Sequence, residues 1–117
     1  MCQKCYGGLF MSALQFIGSD FGFTKGLSHF YRSSEFARRG FCVACGSSLV
    51  FVSDHDPYVW VTIGTLDHPG DWPLTAEASW GQTMHVHIDN KIAWSVIDNS
   101  LPQLTSETEP YRDAVPR

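Results

Sequence analysis

The sequence predicts a mainly β fold with little helix. Three observations predict it. Short runs rich in Val, Ile, Phe, Tyr and Trp recur along the chain, clusters of Gly, Pro, Asn and Asp separate them, and at least one run alternates cleanly between apolar and polar side chains. The length, 117 residues, is that of one domain, and eight Phe, four Trp and four Tyr supply the material for one core.

Residues 9–17, LFMSALQFI, are open between two readings. Leu9, Phe10, Ala13, Leu14 and Ile17 make a helical stripe. Phe10, Ser12, Leu14 and Phe16 set against Met11, Ala13, Gln15 and Ile17 make a two-sided buried strand. Gly7 and Gly8 weaken a helix beginning at once. Lys25–Gly26 reads as a turn before a short strand, LSHFYRS. FARRGF runs into Cys42 and SSLVFVS runs out of the following turn, which places Cys42–Gly46 at the tip of a hairpin. YVWVTIGTL carries β-branched and aromatic residues on both faces, the mark of a central or doubly covered strand. TMHVHID alternates, with Met84, Val86 and Ile88 against His85, His87 and Asp89, and IAWSVI reads as a last strand. The domain is expected to span 1–103, with 104–117 a polar, Pro-rich and loosely held tail.

The formal charge of −4 gives no basic field to attract nucleic acid or an anionic membrane surface. Gly, Ser or charge breaks every apolar run well short of a bilayer's width. MCQKCYGGLF lacks the apolar stretch and cleavage site of a secretory signal, so the expectation is a soluble cytoplasmic protein with reduced thiols.

The four cysteines fall as two Cys-x-x-Cys units, Cys2 with Cys5 and Cys42 with Cys45. Zinc takes four ligands in a tetrahedron with sulfur at about 2.3 Å, and one such unit can fill two corners. In FCVACGS, Gly46 follows the second cysteine directly and can adopt the positive φ that closes a tight knuckle. MCQKCYGG has its first glycine one position later and is the poorer knuckle. The interval from Cys5 to Cys42 exceeds the roughly 15–20 residues of compact zinc ribbons, which suits ligands from two distant parts of a sheet. A thioredoxin-type redox pair would open a helix, whereas GSSLVFVS after Cys45 reads as a strand. Inert buried thiols are the other alternative. Two spaced pairs in a chain with only four cysteines favour a metal.

His85 and His87 share one face of a predicted strand, where a polar, half-exposed face is the commoner role than metal ligation. Arg38 and Arg39 precede the knuckle. A guanidinium there can grip a carboxylate, or simply sit as a solvated strand residue that discourages aggregation.

Three stretches, YRSSEFARRGFCVACGSSLVFVSD, VTIGTLDHPGD and HVHIDNKIAWSVIDNSLPQ, together resemble the glutathione-dependent formaldehyde-activating enzyme (GFA) family, which includes centromere protein V. The resemblance implies a β-tent zinc-binding fold, as in methionine sulfoxide reductase B, and one or two zinc sites. It also implies kinship with carbon–sulfur lyases acting on S-(hydroxymethyl)glutathione, with glutathione or a glutathione adduct as partner. In the family an early Cys-x-Cys joins a late Cys-x-x-Cys around a structural zinc. A Cys-x-Cys-x-x-Cys between them holds a labile zinc with an open position for the glutathione thiol.

By that resemblance Cys42 and Cys45 match the late structural pair, and Cys2 and Cys5 match the last two cysteines of the labile triad. His85, Trp94, Asp98, Leu101 and Pro102 match the closing motif. The first triad cysteine would fall just before Met1, and the early Cys-x-Cys is absent. Two expectations follow. Either the native start lies upstream and both sites are incomplete here, or all four cysteines converge on one closed zinc, as the two units of methionine sulfoxide reductase B do. A closed site would be structural and leave no position for a substrate.

Overall fold

The computed structural model describes residues 2–26, 28–72 and 84–105, which fall in two compact units, Met1–Pro69 and Gly70–Arg117. In the first, a short helix α1 (Cys2–Tyr6) precedes five strands: β1 (Ala13–Ile17), β2 (Ser28–Ser34), β3 (Ala37–Cys42), β4 (Ser48–Ser53) and β5 (Tyr58–Thr62). They form one antiparallel sheet in the order β1-β5-β4-β3-β2. The mainly β expectation therefore holds.

Within residues 9–17, Ala13–Ile17 forms the strand β1 because it pairs in register with Thr62–Tyr58, while residues 9–12 lie outside the strand. YVWVT, apolar on both faces, lies inside the sheet between β1 and β4. β2 to β5 follow one another as consecutive hairpins, which keeps each connection short.

The pairing sorts residues into rows across the sheet. One face carries the row Phe30–Gly40–Val50–Val61–Leu14, where Val50 is 1% exposed and Leu14 is also buried. Gly40 is required there: a Cβ on it would stand 2.6 Å from Val50 Cγ2 and 3.1 Å from the Phe30 ring. The opposite face carries the row Tyr31–Arg39–Phe51–Trp60–Gln15.

The ladder's register shifts at two places. The β3–β4 register shifts after Gly40, pairing Phe41 with Ser48 and leaving Leu49 out of the ladder. Thr62 Oγ1 donates to the Ser48 carbonyl at 2.7 Å and lies 3.1 Å from that of Leu49, so the acceptors freed at the shift are served by β5. The β2–β3 register shifts between Arg32 and Ser34, and the extra residue, Ser33, is buried.

In the second unit the structure differs from the sequence reading. Residues 84–89 are not a strand: His85 makes a single bridge to Gln103, and His87 has a left-handed φ of 56° that turns the chain into a 3-10 turn at Ile88–Asn90. Ile92–Ile97 is not a strand either. Ser95 N–H and its hydroxyl both donate to the Ile92 carbonyl at 2.8 Å, a local turn that takes the groups a ladder would need. The start of the predicted tail is tied down, since Leu104 N–H donates to His85 and its carbonyl accepts from Ile88. The rest of the tail, from 106 on, lies outside the described residues.

Candidate metal centre

The Cys42–Cys45 knuckle is built by the β3–β4 turn. Cys42 ends β3, its N–H donates to Ser47 O at 2.9 Å, and Gly46 N–H donates back to Cys42 O at 2.7 Å. Gly46 has φ of 77°, the conformation that the sequence reserved for it. Cys42 is half-buried and Cys45 exposed. Cys45 Sγ lies 3.1 Å from Ser47 Oγ. Hydrogen bonding from the Ser47 side chain, then from its backbone, and a smaller effect of the Cys42 thiol pull the Cys45 thiol below its ordinary range.

Cys2 and Cys5 stand three apart on α1 and so share one helix face. The helix ends at Gly7, whose φ of 63° and N–H bond to Gln3 O close its last turn. Where the sequence read as a poor knuckle, the chain therefore forms a short helix. Cys2 is exposed and Cys5 half-buried.

Between α1 and the sheet lies Arg39, 8% exposed. Its Nη2 donates to Cys2 Sγ at 3.3 Å. Its guanidinium carbon sits 5.3 Å from the centre of the Tyr6 ring and 4.9 Å from that of Phe51. Burial pushes the Tyr6 hydroxyl up, and the positive charge of Arg39 opposes that, although the hydroxyl makes no bond of hydrogen-bond geometry. Burial works against the charge on Arg39, but the bond and charge of Cys2, together with Tyr6, outweigh it and hold its pKa above the ordinary value. Arg38 points to the opposite face, over the Phe30 ring and toward Asp54, because successive strand residues alternate sides. It is the solvated member of the pair.

Tyr6, Phe51 and Ser47 were not singled out by the sequence. Ser47 follows the knuckle by two residues, but Tyr6 and Phe51 join Arg39 only through the sheet register and the placement of α1.

The family model for the glutathione-dependent formaldehyde-activating enzyme matches residues 1–88. The chain belongs to the GFA family. No curated protein and no solved structure matches it. The GFA match spans both cysteine pairs, Arg39 and His85, and so covers every element just described up to the His87 turn.

A tetrahedral zinc needs four donors, and the donors here come in two dithiol halves. The Cys42–Cys45 turn has the chemistry and closure for two corners. Among the described residues no group of three or more His, Cys, Asp or Glu gathers in a way that could hold a metal ion. His85 lies in the second unit, with its Nε2 buried and without a hydrogen-bond partner. Among the described residues no helix is long and apolar enough to cross a membrane.

Proposed function

We propose that this chain is a zinc-binding GFA-family protein, related to the carbon–sulfur lyases that act on glutathione–aldehyde adducts such as S-(hydroxymethyl)glutathione. The observation that carries the reading is the Cys42–Cys45 turn: two thiols at a hairpin tip closed by Gly46, with Ser47 bonded to Cys45 Sγ. The family match supplies the glutathione and formaldehyde side of it.

Cys42 and Cys45 would hold the metal at two corners, and Cys2 and Cys5 form the second pair of soft donors. When bound, zinc lowers the pKa of a coordinated thiol and keeps it as a thiolate near an electrophilic carbon. Hydrogen bonding from Ser47 favours the thiolate form of Cys45, and Arg39 donates to Cys2 Sγ.

A second reading is a non-catalytic structural zinc module with a closed four-cysteine site. It is favoured by the cysteine inventory, since all four thiols fall in the two pairs. It requires α1 and the β3–β4 turn to converge on one ion. The two readings part on zinc content measured with and without glutathione. A zinc that glutathione or a mild chelator removes, with turnover of S-(hydroxymethyl)glutathione, supports the first. One tightly held zinc per chain, indifferent to glutathione, supports the second.

A further inference from the structure

α1 has no buried residue of its own to pin it to the sheet. Arg39 reaches it instead, through the bond from Nη2 to Cys2 Sγ and the contact with the Tyr6 ring. The same guanidinium rests on Phe51 of β4, so one side chain links the helix to two strands. Its Nε and Nη1 are buried without a hydrogen-bond partner. A cation cut off from water with unmet donors is stabilised by negative charge brought close to it, and the group it already holds is the Cys2 sulfur.

We infer that Arg39 is the positioning residue of the Cys2–Cys5 arm: it fixes Cys2 over the Arg39–Phe51 row of the sheet and makes that spot favour anionic partners. Arg38 has no share in this, because it faces Asp54 on the other side. The use of the arm as a donor pair rests on the proposed metal role; the positioning does not.

Two alkylating reagents of similar size, anionic iodoacetate and neutral iodoacetamide, test it on the metal-free full chain, with each cysteine read by mass spectrometry. The iodoacetate-to-iodoacetamide rate ratio is expected to be severalfold higher at Cys2 than at Cys5. Arg39→Met should bring it down to the Cys5 value, whereas Arg38→Met leaves it unchanged. Equal ratios at the two cysteines of the wild type, or a Cys2 ratio that Arg39→Met does not move, would overturn the inference. If Arg39→Met does not fold, the wild-type comparison decides alone.

Cadmium titration adds the second arm. Partners that orient a ligand from outside the metal's own shell typically contribute about 10–100-fold in affinity, and a loss of that order is expected for Arg39→Met. The loss should vanish when Cys2→Ser is already present. Additive losses would mean that Arg39 does not act through Cys2 and would also overturn the inference. A folded wild type that takes up no cadmium counts against the proposed function, while the labelling ratio still decides the role of Arg39.

Discussion

Cys45 Sγ and Ser47 Oγ lie 3.1 Å apart at the tip of the β3–β4 hairpin, a contact that favours ionisation of the exposed thiol. Ser47→Ala removes the side-chain bond, the largest of the influences that lower the Cys45 pKa. In the metal-free protein the pH profile of Cys45 alkylation should shift to higher pH in the variant, with the plateau rate at high pH little changed. The sign for stability follows from the same direction. An acid whose folded-state pKa lies below its unfolded value contributes stability above the unfolded value, and that contribution is lost as pH falls through the folded one. An unshifted alkylation profile would remove Ser47 from the account.

Gly40 should tolerate no side chain. Its row puts Val50 and the Phe30 ring where a Cβ would go, and Val50 is packed in the core. Gly40→Ala is expected to cost about 1–3 kcal/mol, the usual range for overpacking, read as a fall in the urea midpoint at constant m.

Thr62→Val keeps the shape of the side chain and removes the donor that serves the Ser48 and Leu49 carbonyls at the β3–β4 register shift. Leaving those acceptors short is expected to cost about 1–3 kcal/mol in thermal or urea unfolding. Hydrogen exchange should quicken first in β4 around Leu49.

Asp54 receives Arg32 at 2.8 Å and Arg38 at 3.5 Å, but all three side chains are well exposed. Asp54→Asn is expected to change stability by only about 0–1 kcal/mol, and by less in high salt. A larger loss would mean that the cluster does more than solvate the sheet.

The hairpin core of the sheet was legible in the sequence because each of its turns and alternations is local: FARRGF, the cysteine knuckle and SSLVFVS specify β3, its turn and β4 without reference to distant residues. Residues 9–17 are ambiguous because LFMSALQFI fits a helical stripe and a two-sided strand alike, and pairing of Ala13–Ile17 with β5 decides it. The alternation of Met84 to Asp89 reads as a strand, but alternation needs a partner strand, and here the pairing with residues 102–104 is a single bridge and an Ile88–Leu104 bond before the chain turns at Ile88–Asn90. The Cys42–Cys45 knuckle could be read from Gly46 alone, whereas the seat of Cys2 on Arg39, between Tyr6 and Phe51, depends on the strand register and was invisible to spacing arguments.

Zinc binding by Cys42 and Cys45 is tested most directly by cobalt(II) substitution, because thiolate-to-cobalt absorption in the near ultraviolet reports sulfur ligation. The expected result is a thiolate–cobalt band that zinc displaces stoichiometrically and that Cys42→Ser and Cys45→Ser each abolish or sharply weaken. A folded wild-type protein without that band, or a band that survives both substitutions together, would contradict it.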